Sequence, residues 1–284
     1  MIIMCDSTCD LSLAFLEEKD LHLFPALITL GEKEYRDILD IDTSKIYNTI
    51  KNGIHPKTAQ VAVADFYLKF KQIAKEKEEG IYISVSSGLS GTYNTALMAL
   101  KAVKEEFSEV KITVIDSRTA SIGIGVMLSE ALEMRAANRS LGEVTNRMEF
   151  MANNLVTLFT LSDLNWVAKG GRISKTAATI GSVLQINPVM ELINGKVVIT
   201  EKIRGKKKVM NRMIEVIKEK ADQIEKQIIG VAYSEDIEKG KEFLAEVESQ
   251  IASRGIVFRP VGASVATHAG LGTLGIAYLK KYSK

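Results

Sequence analysis

The 284-residue sequence is poor in the residues that build metal centres, because it has only two cysteines and three histidines. Cys5 and Cys9 lie four residues apart with no third cysteine, and His22, His55 and His268 are scattered along the chain. A closed zinc site takes four ligands, which usually come in close pairs. The sequence therefore predicts no metal site, and it indicates that both thiols stay reduced.

A strong net charge and long apolar runs are also absent. The formal net charge is +2, which is too small to indicate a nucleic-acid partner. No run of about 18 apolar residues occurs, so we expect no membrane span. Residues 1–6 have neither the basic start nor the long apolar core of a signal peptide, so a cytoplasmic location is expected.

What the sequence does contain is a regular alternation of apolar strands and helices. We predict strands at 1–4, 21–30, 81–85 and 110–115, and helices that begin near residues 12, 43, 64, 94 and 121. This order predicts a mostly parallel sheet with both faces covered by helices. Polar clusters at 5–10, 86–92 and 116–121 follow strands, so they should meet along one edge, where such sheets bind ligands.

The pattern changes after about residue 145, and we predict two α/β domains over residues 1–150 and 151–284. The segment from Leu274, which is apolar and then basic, is free to pack back on the first domain. The other predicted elements of the second half include strands at 156–162, 228–233 and 256–260, and helices at 164–168, 180–184 and 237–251. A hairpin across Asn194-Gly195, a long helix after Arg204 and a glycine-rich loop at 267–273 are also predicted.

A glycine- and serine-rich stretch, Ser87-Gly88-Leu89-Ser90-Gly91-Thr92-Tyr93, lies between a predicted strand and a predicted helix. The N–H groups at a helix start are unpaired and carry partial positive charge, so this turn suits a phosphate or a carboxylate. It matches neither the P-loop, the dinucleotide-binding pattern nor the Gly-x-Ser-x-Gly elbow of hydrolases. Three interpretations stay open: anion binding, simple helix capping, and a nucleophilic Ser90 with His268 as its base.

Other side chains also suit an anionic ligand. Arg172 follows two flexible glycines and could hold a carboxylate or phosphate through two parallel hydrogen bonds, or it could be a surface arginine after a helix end. Thr58 offers a hydroxyl in a predicted loop, and His268 lies between glycine-rich turns; either could instead be structural. The basic run 204–208 is typical of a solvated helix start, with partner docking or a phosphate contact as the alternative.

Taken together, these segments resemble the DegV family over essentially the whole chain and in the family's order. The Ser-Gly-Leu-Ser-Gly-Thr and Gly-Gly-Arg-Ile elements are specific in combination. The matching segments are Asp6-Ser7-Thr8-Cys9-Asp10-Leu11, Thr58-Ala59-Gln60, Ser86 to Tyr93, Val114-Ile115-Asp116-Ser117, Gly170-Gly171-Arg172-Ile173-Ser174, Ile186-Asn187-Pro188-Val189 and His268-Ala269-Gly270-Leu271-Gly272.

The resemblance implies two α/β domains with a long-chain fatty acid, such as palmitate, stearate or oleate, buried between them in a tunnel. Bacterial members of the family present this fatty acid to a separate ATP-dependent kinase, which makes an acyl phosphate. The chain would then need no cofactor and no catalytic residue of its own, and its Met, Leu, Ile and Val residues are candidates for the tunnel wall. The implied ligand-binding residues are Thr58 and Ser90, which hold the carboxylate, with Gly91, Thr92, Arg172 and His268 beside them.

Two departures from the family pattern concern the predicted head-group loops. The family's Thr-Ser-Gln-Pro is Thr58-Ala59-Gln60-Val61 here, which lacks one hydroxyl and the rigid proline. The family's His-x-Gly-Pro-Gly is His268-Ala269-Gly270-Leu271-Gly272, and the missing proline should leave this loop more mobile. Two alternatives to a carrier stay open: a lipid-responsive regulatory module without transfer chemistry, and a serine-dependent hydrolase.

Overall fold

The computed structural model describes residues 1–173 and 186–282. The predicted helix at 180–184 and Ser174 of the family motif lie outside these residues. The strands are β1 (Ile2–Asp6), β2 (Leu21–Phe24), β3 (Leu27–Leu30), β4 (Lys33–Arg36), β5 (Lys57–Ala59), β6 (Glu79–Ser84), β7 (Lys111–Asp116), β8 (Leu155–Thr160), β9 (Ile186–Ile193), β10 (Lys196–Arg204), β11 (Ile228–Tyr233), β12 (Gly255–Pro260) and β13 (Leu274–Leu279). The helices are α1 (Leu13–Glu18), α2 (Thr43–Lys51), α3 (Val63–Glu76), α4 (Thr92–Glu106), α5 (Ile122–Ala136), α6 (Leu141–Asn154), α7 (Leu164–Lys169), α8 (Lys206–Lys220), α9 (Ile237–Gln250) and α10 (Ala263–Ala269).

The first half of the chain builds a four-stranded parallel sheet in the order β2-β1-β6-β7. The two central strands are almost wholly buried, as expected for a parallel sheet covered by helices. The predicted parallel sheet is therefore confirmed. None of the described helices is long and apolar enough to cross a membrane.

The single strand predicted at 21–30 is wrong, because the chain divides there into β2 and β3, which belong to different sheets. Pro25 lies at the division and has no backbone N–H for a ladder hydrogen bond. The next amide, Ala26 N–H, donates to Ser7 Oγ at 3.0 Å. Strand β3 then joins a three-stranded antiparallel sheet, β4-β3-β5, in which Ile28 pairs with Thr58.

The second half builds a six-stranded sheet in the order β10-β9-β8-β13-β11-β12. It is antiparallel except for the β11–β12 pair. The hairpin predicted across Asn194-Gly195 is confirmed as β9 and β10. We predicted no strand after Leu274, yet β13 lies inside the sheet, between β8 and β11, and also packs against α5 of the first half.

One hydrophobic cluster crosses the predicted domain boundary after residue 150. Ile122 and Val126 of α5 pack in this cluster together with Ala232 and Ala277 of the second sheet. Helix α5 lies so close to β11 that a Cβ on Gly230 would overlap the Ile122 side chain. The two halves therefore share a core, and their division into two domains stays a prediction.

The polar clusters that follow β1, β6 and β7 meet at one edge of the parallel sheet, as predicted. The Asp6 carboxyl, at the end of β1, accepts a hydrogen bond from Val85 N–H at 2.8 Å. Ser86 N–H, after β6, donates to Thr119 O, after β7, at 2.9 Å. This edge faces the second sheet, and the space between them is the candidate site.

Candidate functional site

A cavity of about 1100 Å³, counting the part that opens to solvent, lies between this edge and the second sheet. Four separate segments of the chain bring the predicted ligand residues to it. Five of the six predicted ligand residues line the cavity: Thr58, Ser90, Thr92, Arg172 and His268. The sixth, Gly91, is not among the lining residues that the structure describes.

Gly91 has a packing role beside the cavity. A Cβ at this position would overlap Oε1 of Gln60. The Gln60 side chain passes Gly91 and donates from Nε2 to Thr95 Oγ1 at 2.7 Å. The glycine therefore lets Gln60 tie the end of β5 to the first turn of α4, which fixes the Thr58 and Ser90 segments relative to each other.

Ser90 lies just before α4, and its contacts allow its hydroxyl proton to stay free. Its Oγ is 2.9 Å from Thr92 Oγ1, and it accepts from Thr92 N–H at 3.3 Å. Val61 N–H donates to Thr92 Oγ1 at 3.4 Å. A hydroxyl has one proton and two acceptor sites, so Thr92 can give its proton to Ser90. The Ser90 proton is then free for a group in the cavity.

Thr58 and His268 form a hydrogen bond across the cavity, although they are 210 residues apart in sequence, with Oγ1 and Nε2 separated by 2.7 Å. Thr58 lies in strand β5, and His268 lies in the last turn of helix α10. The loops predicted at both positions are therefore wrong. Regular elements hold these side chains more firmly than loops would, because each backbone is fixed by its own hydrogen bonds.

The His268 ring is neutral near pH 7. Burial is the main cause that lowers the pKa of His268 to about 4, and the positive charge of Arg172 adds to it. Its Nδ1 lies 3.2 Å from Gly170 O and 3.3 Å from Arg172 Nη1. Two tautomers fit. In one, Nδ1–H donates to Gly170 O and Nε2 accepts from Thr58; in the other, Nε2–H donates to Thr58 and Nδ1 accepts from Arg172.

Arg172 is a half-buried charge that no carboxylate balances in the part of the chain that the structure describes. Its Nε donates to Leu89 O at 3.2 Å, and its Nη1 donates to Gly170 O at 2.8 Å. Burial lowers the pKa of the guanidinium, and no carboxylate among residues 1–173 and 186–282 opposes that shift. A partly desolvated cation of this kind is stabilised when an anion binds beside it.

The rest of the cavity wall is mostly apolar; the sequence indicated Met, Leu, Ile and Val as its residue types but not which positions they would occupy. Apolar residues in a strand follow the same pattern whether they face a core or a cavity. The methionines proposed for this wall are not among its described residues. The apolar lining includes Ala26, Val85, Leu89, Ile122, Phe159, Leu161, Val167, Leu192, Val197, Ala232, Val261 and Val265.

The β9–β10 hairpin closes one side of the cavity by contacting the turn that follows β6. Ser86 Oγ donates to Gly195 O at 2.7 Å. Gly195 has φ +76°, and a Cβ there would overlap Ser86 Oγ. The glycine that the hairpin turn requires is thus also required for this contact.

The serine–histidine pair that a hydrolase would use is not formed among the described residues. The ring nitrogens of His268 contact Thr58, Gly170 and Arg172, and neither has Ser90 as a partner. In the same part of the chain, no group of three or more His, Cys, Asp or Glu residues could hold a metal ion. The basic run 204–208 ends β10 and begins α8, and its residues are not among those described as lining the cavity.

Known proteins share both the sequence and the fold. Residues 1–281 match the family described as "Uncharacterised protein, DegV family". The DegV domain-containing protein YteA of Lactococcus lactis is 33% identical over 285 residues, which cover 99% of this chain and 98% of that protein. A stearic acid-binding protein from Eubacterium ventriosum has a TM-score of 0.89 and 26% identity, with 99% of both chains covered. A DegV family protein from Thermus thermophilus, whose structure is described as showing fatty acid binding, has a TM-score of 0.88 and 26% identity over 98% of this chain and 99% of that one. The predicted α/β fold is confirmed.

Proposed function

Because the chain belongs to the DegV family, we propose that it binds a long-chain fatty acid in the cavity between its two main sheets. One observation carries this proposal. A mostly apolar cavity is lined by two hydroxyls, Thr58 and Ser90, and by the guanidinium of Arg172, which has no carboxylate partner among the described residues. The related Eubacterium ventriosum protein, described as a stearic acid-binding protein, supports the same ligand class. Palmitate, stearate and oleate are the expected ligands.

The acyl chain supplies most of the binding free energy in this proposal. Each buried CH₂ contributes about 0.8 kcal/mol, so a palmitate chain gains about 10 kcal/mol before the costs of ordering are subtracted. A buried carboxylate without partners would cancel much of that gain. The two hydroxyls and Arg172 therefore fix where the carboxylate lies in the cavity.

A carboxylate at this end selects one tautomer of His268. When Nε2–H donates to Thr58 Oγ1, the Thr58 proton is free to donate to the ligand. When Nδ1 carries the proton instead, Thr58 gives its own proton to Nε2 and has none left for the carboxylate. The neutral ring thus acts through Thr58, and the cationic Arg172 supplies the counter-charge.

We expect the purified protein to carry a fatty acid from the cells that produced it. The native mass spectrum should then show a mass excess that disappears on denaturation. The released species should match a long-chain fatty acid such as palmitate, stearate or oleate. An unliganded mass, together with no uptake of added oleate, would contradict the proposal.

We further propose that the bound fatty acid is presented to a separate ATP-dependent kinase, and this part rests on the family resemblance. Acyl phosphate should form only when the loaded protein, a fatty acid kinase and ATP are all present. A regulatory lipid-binding module would bind the same ligand and give no acyl phosphate under any of these conditions. A hydrolase would instead turn over an ester without the kinase, and Ser90→Ala would abolish that turnover.

The Ser90→Ala substitution should weaken fatty-acid binding by about 1–3 kcal/mol, because a buried carboxylate would lose one donor. Isothermal titration with oleate measures this loss. Ser87→Ala is the matched control, since Ser87 is an exposed serine of the same turn whose hydroxyl bonds Asp116 at 2.5 Å. Equal affinities for the Ser90→Ala variant and the unsubstituted protein would remove Ser90 from the head-group site.

A further inference from the structure

Two aromatic rings stack directly behind the head-group residues. The imidazole of His55 lies on the indole of Trp166, with ring centroids 4.2 Å apart and planes inclined by 13°. Both residues are half-buried, and neither is among the described residues that line the cavity. Trp166 is the single tryptophan of the sequence. The stack therefore lies behind the described cavity wall, and its contacts lead to Thr58 and His268, which line the cavity.

Trp166 bonds two residues that flank the His268 side chain, Thr267 and Gly170. Its indole N–H donates to the carbonyl of Thr267, the residue before His268, at 3.0 Å. Its backbone carbonyl accepts from Gly170 N–H at 3.0 Å, and Gly170 O in turn lies 3.2 Å from His268 Nδ1. Gly270, with φ +76°, packs against the indole so closely that a Cβ there would lie 3.0 Å from Cδ1.

His55 supports Thr58, the hydrogen-bond partner of His268. It precedes Pro56 and β5, and its Nδ1 lies 3.0 Å from the carbonyl of Pro56. Thr58 lies two residues after Pro56, and its hydroxyl is 2.7 Å from His268 Nε2. The contacts thus form a closed ring that runs from Thr58 to His268, Gly170, Trp166, His55 and back to Thr58.

We propose that His55 and Trp166 are positioning residues, whose stack holds Thr58 and His268 at hydrogen-bonding distance and so prepares the site for a carboxylate. The inference rests on the proposed fatty-acid binding for its effect on affinity. The stack joins the segment before β5 to α7, and the Trp166 indole N–H joins α7 to α10. Without it, the strand with Thr58 and the helix with His268 lose their common support.

The test is a double-mutant cycle in the full chain, with oleate as the ligand. His55→Ala should weaken oleate binding about tenfold in the unsubstituted background and less than twofold in a Thr58→Val background, because the stack acts through Thr58. Trp166→Phe keeps a ring for His55 but loses the indole N–H that donates to Thr267 O, so it should weaken oleate binding less than Trp166→Leu, which loses both contacts. Equal losses in both backgrounds, or no loss from His55→Ala, would overturn the proposal.

A second measurement separates this inference from the fatty-acid proposal. The ¹⁵N signals of the His268 ring report its tautomer and hydrogen bonds, and they can be recorded without any ligand. His55→Ala should shift these signals while thermal unfolding shows that the variant remains folded. Unchanged His268 signals would refute the positioning role even if oleate binds. Shifted signals in a protein that does not bind oleate would support the role and reject the ligand.

Discussion

Arg172→Ala is expected to weaken fatty-acid binding about 30-fold, or about 2 kcal/mol, while it leaves the binding of the matching fatty alcohol nearly unchanged. The reason is that Arg172 is the cation that lines the cavity without a carboxylate partner among the described residues. A fatty alcohol has the same tail and a hydroxyl, but it has no charge for the guanidinium to balance. Titrations of the two ligands into both proteins give the comparison.

The ratio between the two ligands distinguishes charge recognition from damage to the cavity. Arg172 also donates to Leu89 O and Gly170 O, so its removal could loosen the wall. Loosening would weaken acid and alcohol equally, and that result would contradict the charge role. Arg139→Ala is a control of equal charge, because Arg139 is exposed and pairs only with Glu143 among its described ion-pair partners. Arg172→Lys keeps the positive charge but lacks the planar guanidinium. Its affinity for the fatty acid should therefore lie between those of Arg172→Ala and the unsubstituted protein.

Asp10→Asn should stabilise the folded protein, by about 5 kcal/mol at pH 8 and hardly at all near pH 4. Asp10 is buried, with 6% of its surface exposed, and Ser121 Oγ donates to its carboxyl. Burial is the main cause that raises the pKa of Asp10 to about 8, and the charges of Asp37 and Asp6 also raise it. The folded state therefore keeps the carboxyl protonated at a pH where the unfolded chain ionises it.

The sign of the pH dependence follows from that difference. The favourable contribution of the protonated carboxyl is complete below the unfolded pKa of about 3.9, and it is lost as the pH rises toward about 8. An asparagine does not ionise, so the gap between the variant and the unsubstituted protein should widen over this range and then stay constant. Urea unfolding at several pH values measures the gap.

Backbone geometry offers a matched control for the Asp10 experiment. Asp10 has φ +57°, a left-handed conformation that asparagine tolerates well. Asp20 has φ +49° and an exposed side chain, so Asp20→Asn makes the same chemical change in the same backbone conformation at the surface. A gap that does not change with pH for Asp10→Asn, or one as large for Asp20→Asn, would show that burial of this carboxyl has no such effect.

The sequence was sufficient for the parts of the site that depend on neighbouring residues. Ser90 lies at a strand–turn–helix junction whose composition is visible over seven residues, and the structure places it at the cavity. The Asn194-Gly195 hairpin was predictable for the same reason, because its turn chemistry is local. The local sequence left Thr58, Arg172 and His268 as candidates with structural alternatives, and the DegV resemblance identified them as ligand residues.

The parts that were missed depend on contacts between distant residues. The bond between Thr58 and His268 joins residues 210 positions apart, and nothing near either one predicts the other. Helix α10 is only seven residues long, so its hydrophobic period is too short to distinguish from a loop. Strand β13 looked like an apolar tail, because a short apolar run is recognisable as a strand only from the neighbouring strands with which it pairs.

The position of β13 near the end of the sequence also decides at what stage of translation the cavity can form. This strand pairs with β8 on one side and with β11 on the other, so the second sheet is in two pieces until residue 279 has been synthesised. Gly275 of this strand belongs to the cavity wall itself. A nascent chain on the ribosome therefore has no enclosed pocket for almost the whole of its translation, and from the time β11 is made until β13 follows it carries two unpaired strand edges. If the chain binds a fatty acid as proposed, its translation must be nearly complete before binding can begin.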